Sequence, residues 1–256
     1  MIDQILSQST AIRPPVLPEV KQKVLEIIPD LDSVKVNSTN IIEWLLPIVD
    51  LSGFCVYPMN GITEGLNWWY AQEHRTVTMS QGDYQWIEPV DRTQQKIHYV
   101  SCPSAIHGNF IDVPDDVPVA LDLAYVGSTK IKKITVTPNV EYVFYSLSKS
   151  FGLRNIRTGW MFCRQPNTKL DSLVNGAKYY NYYASQVSEH IIKNFDIDYM
   201  YKNLSRQQLD ICKKLDLTPS DAVWLATSSD PTFDKFMRLP GINRLSLCDL
   251  FDTSDV

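Results

Sequence analysis

Two rhythms of apolar and polar positions run along the chain. Short runs rich in β-branched and aromatic residues, at 54–58, 76–79, 97–100, 119–125, 140–144 and 160–163, have the length and composition of buried strands. Between and after them, apolar residues recur three or four apart, the spacing of one helical face. Ile62, Leu66, Trp69 and Tyr70 form one such stripe, Val187, Ile191 and Phe195 another, and Tyr199 to Leu215 reads as a further helix. Strands alternating with helices predict an α/β fold of three layers, a mostly parallel sheet with helices on both faces. Past residue 215, strands at 222–227 and 242–247 flank a helix at 231–237, which predicts a small, reduced C-terminal α+β domain.

The start of the chain breaks the rhythm. Arg13-Pro14-Pro15 and Pro18 precede a short apolar stretch, Val20, Val24, Ile27 and Ile28, stopped at Pro29, so an extended arm feeds a short helix. Asn37, Ser38 and Thr39 offer caps for a helix over 40–48. The expected organisation is an arm at 1–30, a major domain at 31–195 and the small domain at 196–256.

Composition narrows the partners. In 256 residues, 44% are hydrophobic and 21% charged, ordinary values for a folded domain. A net charge of -5 and a pI near 5.4 disfavour nucleic acid and anionic membranes, leaving small solutes as the expected ligands. The most apolar stretch, Ile41 to Val49, contains Glu43 and Pro47 and falls far short of the roughly 20 residues of a bilayer span. Without a basic region and apolar core at the start, a secretory signal is not expected and a cytoplasmic protein is. The five cysteines are scattered without CxxC spacing, which predicts buried thiols and neither disulfides nor a metal site.

Candidate chemistry clusters after the strand at 140–144. Lys149 sits among Ser146 and Ser148, with Arg157 eight residues on and a second strand behind it. A lysine amine can condense with the aldehyde of pyridoxal phosphate, while hydroxyls and a guanidinium hold a phosphate. An isolated Ser-Lys-Ser is more often a solvated turn. Two other stretches change that reading. Asn60-Gly61-Ile62-Thr63-Glu64-Gly65-Leu66 joins a strand to a helix start, where free amides and the helix dipole suit an anion. Asp122 lies inside an apolar run, where an unpartnered carboxylate is costly and a partner is required.

The segment Ser146-x-Ser148-Lys149-x-x-Gly152-x-x-x-x-Arg157-x-Gly159 resembles the lysine segment of fold-type I pyridoxal-phosphate enzymes, specifically class I/II aminotransferases. The resemblance runs over about residues 50 to 247 in the family's order. It implies that Lys149 binds the cofactor covalently and shuttles a proton. Ser146, Arg157, Ile62 and Thr63 would hold its phosphate. Tyr84, with Trp86 as competitor, would stack on its ring. Asp122-x-x-Tyr125, 27 residues before Lys149, would place a carboxylate at the ring nitrogen and a hydroxyl at the phenolic oxygen. Arg244, in Arg244-Leu245-Ser246, would grip a substrate carboxylate. The chain departs from the pattern at Ala105, Ile106 and His107, where the family has asparagine, proline and threonine; His107 or Asn109 could replace the missing donor, the alternative being an ordinary loop histidine. The implied activity is transfer of an amino group between a small amino acid and a 2-oxo acid, in a homodimer. The alternatives are another reaction at the α-carbon, such as a lyase or decarboxylase, or a catalytically reduced cofactor-binding protein.

Overall fold

Most strands of this chain carry apolar side chains in both directions, so helices must cover both sides of the sheet they build. The computed structural model describes residues 1–27, 39–84 and 86–253; the expected caps Asn37 and Ser38, and the stop at Ile28 and Pro29, lie outside them. In chain order come α1 (Ile2–Ser7), α2 (Pro18–Leu25), α3 (Thr39–Leu45), β1 (Cys55–Met59), α4 (Ile62–Gln72), β2 (Thr76–Met79) and β3 (Lys96–Ser101). They are followed by β4 (Val119–Asp122), β5 (Val140–Ser146), the single turn α5 (Leu147–Ser150), β6 (Gly159–Cys163) and the short α6 (Thr168–Leu170), extended by a π-helical turn over Asp171–Gly176. After α7 (Tyr182–Asn194) and α8 (Tyr199–Leu215) come β7 (Thr218–Pro219), β8 (Leu225–Ser228), a 3-10 turn at Pro231–Phe236, β9 (Met237–Leu239) and β10 (Ile242–Ser246).

The large sheet has the order β1-β6-β5-β4-β3-β2, and β6 alone runs against both of its neighbours. Its side chains alternate between two cores. Val143, Tyr145, Trp160 and Phe162 join the core that also contains α7 and α8, while Phe144, Met161, Ala120 and Tyr99 face α4 with Leu66 and Trp69. Fully burying a side chain of this size stabilises by about 1.5–3 kcal/mol. The fold is therefore the expected three-layer α/β arrangement.

The smaller sheet is antiparallel, in the order β7-β8-β10-β9, and it is locked to α8 by one side chain. Gln208, 3% exposed, donates from Nε2 to the carbonyls of Ser220, Ala222 and Leu225 at 2.9, 3.1 and 2.9 Å. One core runs without a break from Ile5 through the large sheet to Leu225, Leu245 and Phe251.

Several boundaries differ from the sequence reading for local reasons. The run at 119–125 is strand only to Asp122, because the Asp122 carboxylate accepts from the Ala124 amide at 2.7 Å and turns the chain. The strand expected from Ala222 begins at Leu225, because Ala222 closes a turn onto the Leu225 amide. The helix at 231–237 is a 3-10 turn capped by Asp230 on the Thr232 amide. Helix α1 was not expected: it buries only Ile5, too few positions to show a period. The arm after it lies on its own chain, with the Thr10 carbonyl on Arg244 and Pro15 against Gly152. The five cysteines are free thiols, four buried and Cys55 half-exposed.

Candidate active site

Parallel strands deliver their C-terminal ends to one edge of a sheet, and the loops that leave them form a crevice. Here β1 leads to Asn60 and Gly61, β2 to Asp83 and Tyr84, β3 to Ser101, β4 to Asp122 and Tyr125, and β5 to Ser146 and Lys149. The antiparallel β6 starts at the same edge, since Gly159 pairs with both Met59 and Ser146.

Lys149 lies at this edge on α5, half-buried, with Nζ 4.7 Å from the centre of the Tyr125 ring and 5.4 Å from that of Tyr84. Asp122 is 3% exposed; its Oδ2 accepts from the Tyr99 hydroxyl at 2.7 Å and its Oδ1 from the Ala124 amide. Burial pushes its carboxyl above the usual range, and the charge of Lys149 and the two hydrogen bonds pull against that rise. Tyr125 goes the other way. Burial raises its hydroxyl, but the charges of Arg244, Lys149 and Arg238 outweigh burial and hold it below the ordinary phenol value.

Beside this cluster the chain makes an anion cradle. Gly61 precedes α4 with φ 82, a left-handed conformation that favours glycine, and α4 begins with no side-chain cap on its first amides. A Cβ on Gly61 would stand 3.0 Å from Nη2 of Arg157, and one on Gly159 would stand 2.7 Å from the Gly61 Cα, so two glycines let β6 and the α4 turn approach. Arg157 itself has φ 62. The hydroxyls of Ser148 and Thr158 are buried without a hydrogen-bond partner among the described residues. Free amides, a guanidinium and two orphaned hydroxyls together fit a phosphate-sized anion.

Of the residues singled out from sequence, Lys149, Asp122, Tyr125, Tyr84 and Arg244 come together, and Ile62, Thr63, Ser146 and Arg157 lie around the cradle. Trp86 does not join them: it is 56% exposed and donates to Asn67. Arg244 is 6% exposed, and its Nη1 donates to the Ala105 carbonyl at 2.6 Å and the Tyr125 hydroxyl at 3.2 Å, its Nη2 to Thr10 at 3.1 Å. Its Nε is buried and unpartnered. The side chain of Asn109 is committed to the loop before β8, its Oδ1 accepting from the Asp221 amide, while the His107 ring accepts from the Asn109 amide at Nδ1 and its carbonyl accepts from Ser220. Sequence reasoning missed Asp83, a second buried carboxylate that accepts from Ser101 Oγ at 2.5 Å and the Tyr84 amide at 2.7 Å. Its only signal was its place beside Tyr84. Arg238, the fallback to Arg244 as carboxylate clamp because it lies close to it in sequence, is carried by β9.

The mostly parallel sheet between two helical layers is the fold of the fold-type I pyridoxal-phosphate enzymes: the chain has their fold. A PLP-bound C-S lyase from Staphylococcus hominis superposes with a TM-score of 0.65 at 11% identity, over 94% of this chain and 86% of that one. An aminotransferase from Mycobacterium tuberculosis gives 0.63 at 14% identity over 97% and 90%, and one from Staphylococcus aureus 0.61 at 14% over 94% and 88%. No protein-family model and no curated protein matches the sequence.

Proposed function

We propose that this chain is a pyridoxal-phosphate-dependent enzyme of aminotransferase type, moving an amino group between a small amino acid and a 2-oxo acid. The observation that carries the reading is the convergence of Lys149 Nζ, the buried Asp122 carboxylate and the Tyr125 ring beside an anion cradle at one sheet edge. When bound, the cofactor supplies an electron-withdrawing ring that stabilises negative charge at a substrate α-carbon. Everything else falls to the chain. The amides of Ile62 and Thr63, the hydroxyls of Ser146 and Ser148 and the Arg157 guanidinium hold the phosphate. Tyr84 supplies an aromatic face for the ring. Asp122 accepts from the ring nitrogen and keeps it protonated, and the hydrogen bond from Tyr99 fixes the carboxylate's orientation for that task. Tyr125 would meet the phenolic oxygen, its hydroxyl held in place by the hydrogen bond it accepts from Arg244. Lys149 Nζ takes the proton from the α-carbon and returns it to a neighbouring atom. The Nε and Nη2 edge of Arg244 receives the substrate carboxylate, which displaces the Thr10 carbonyl of the arm.

The test is spectroscopic. Adding pyridoxal phosphate to the purified protein produces a visible absorption band, borohydride fixes the cofactor to Lys149, and an amino acid bleaches the band as the cofactor takes its amine form. Lys149→Ala abolishes the fixed adduct. A trapped lysine adduct that persists in Lys149→Ala refutes the assignment, and release of ammonia or carbon dioxide in place of amino transfer assigns a lyase or decarboxylase instead. The reading includes a cytoplasmic homodimer, with the contact face proposed around Tyr179, 68% exposed, at the rim of a cleft of about 400 Å3. Sedimentation that finds a fully active monomer overturns the dimer.

A further inference from the structure

The edge strand of the large sheet carries a thiol directly opposite a thiol of its neighbour. In the antiparallel pairing of β1 with β6, Cys55 stands across from Cys163, the first residue of one strand facing the last of the other. Directly opposite residues of such a pair point their side chains to the same face with Cα atoms roughly 4.5–5.5 Å apart, inside the span of roughly 4.4–6.8 Å that a disulfide bridges. The register at this end is held from both sides. The Arg164 amide donates to the Glu141 carbonyl at 2.8 Å, and the Arg164 guanidinium lies 4.5 Å from the centre of the ring of Phe54, the residue before Cys55. Both thiols are free, and they differ in access. Cys163 is 1% exposed, with Tyr142 of β5 on its far side, while Cys55 is half-exposed because β1 is the edge strand. The π-helical turn over Asp171–Gly176 closes on the same face, where the Tyr57 hydroxyl donates to Asp171 Oδ1 at 3.1 Å. Burial, with the Cys55 sulfur and the Asp171 carboxylate adding to it, pushes the Cys163 thiol up to about 12.

We infer that Cys55 and Cys163 form a redox modification site, a dithiol that small disulfides oxidise to a covalent bond between β1 and β6 and that thiol reductants restore. The order of steps follows from access. The Cys55 sulfur, as thiolate, attacks one sulfur of the small disulfide; that S–S bond breaks, one small thiol leaves, and a mixed disulfide remains on Cys55. Cys163 then attacks the Cys55 sulfur, its proton passing to the second small thiol as it leaves. Two protein thiols are oxidised, one small disulfide is reduced to two thiols, and no other reactant takes part. The bond ties together the two strands whose far ends bring Gly61 and Gly159 to the cradle. In a chain read as cytoplasmic, such a disulfide is a transient, sensing bond and not a structural one. Cys102, Cys212 and Cys248 are buried and lie outside the strand pairings, so they take no part.

Thiol counting and peptide mapping of the full chain test the site, with oxidised glutathione as the probe. After treatment, wild-type protein that is unfolded and titrated has lost two of its five thiols, and its digest contains a linked peptide joining Cys55 to Cys163 that dithiothreitol separates. Cys163→Ser keeps a glutathione adduct on Cys55, because the second attacking thiol is missing. Cys55→Ser keeps all its remaining thiols, because Cys163 is covered. A wild-type protein that loses no thiol overturns the inference. So does one that carries glutathione on Cys55 without the linked peptide, or that joins Cys55 to the Cys55 of a second copy. A Cys55→Ser protein that loses thiols as fast as the wild type also overturns it. If neither variant folds, the wild-type peptide map alone decides. Uptake of pyridoxal phosphate plays no part in these outcomes, so they stand whether or not the proposed function does.

Discussion

At the residue scale the site is an exercise in opposed charges under low solvation. Tyr99 and Tyr145, both buried, have their hydroxyls pushed up by desolvation, and Tyr125, equally buried, is held down by three cations. The difference is testable without a ligand. In a spectrophotometric titration the first tyrosine to ionise does so below the ordinary value of 10.0, and Tyr125→Phe removes that step. Arg244→Gln moves it upward. Because the folded value is depressed, ionisation of Tyr125 favours the fold: the contribution is full above pH 10 and is lost as pH falls through the folded value. A wild-type titration with no tyrosine ionising early contradicts the charge cluster. Asp122 was legible in the sequence because a carboxylate in an apolar run is unusual in itself, and Lys149 because of the longer string from Ser146 to Gly159 around it. Arg238 entered only as a fallback to Arg244, because nothing local distinguishes it from a surface arginine.

At the element scale, the crevice depends on the junction of β1, β6 and the start of α4. Gly159 pairs with Met59 on one side and Ser146 on the other, and its Cα hydrogen faces Gly61. Gly159→Ala puts a methyl group against backbone atoms that cannot rotate away, so β6 or the cradle must shift. We expect a loss of about 1–3 kcal/mol of stability in urea unfolding, the usual cost of overpacking, and a weaker grip on pyridoxal phosphate. An alanine protein with unchanged stability and cofactor affinity shows that the close approach does not set the cradle. The strand-turn-helix element was readable from Asn60 to Leu66. The contact of its turn with a glycine almost a hundred residues later was not, because it arises from strand pairing between distant segments.

At the scale of the whole molecule, the two sheets share one core. Residues from Ile5 on the first helix to Phe251 near the end belong to a single buried cluster, and α8 is tied to the small sheet through Gln208. Urea unfolding followed by circular dichroism and by tryptophan fluorescence should therefore give coincident transitions. Leu225→Ala, at a fully buried position of β8, lowers stability by about 2–5 kcal/mol without separating the two curves. Two resolved transitions would make the small sheet an independent folding unit, in line with the division at residue 196 drawn from the sequence.

The sequence alone determined the alternation of strands and helices, the lysine turn, Asp122 with Tyr125, and the glycine-led start of α4. Each of these is written in neighbouring residues, in a period of apolar positions or a short spacing that local geometry enforces. It did not determine that β6 runs against its neighbours, that Asn109 is spent on the Asp221 amide, or that Asp83 is buried beside Tyr84. Nor did it show that Arg244 is braced by Ala105 and Thr10, or that Arg238 stands over the Gly82 turn. Those facts join segments up to 234 residues apart, and no local pattern encodes them. They were decided by which apolar faces could be buried together, and the placement of the charged side chains followed from that packing.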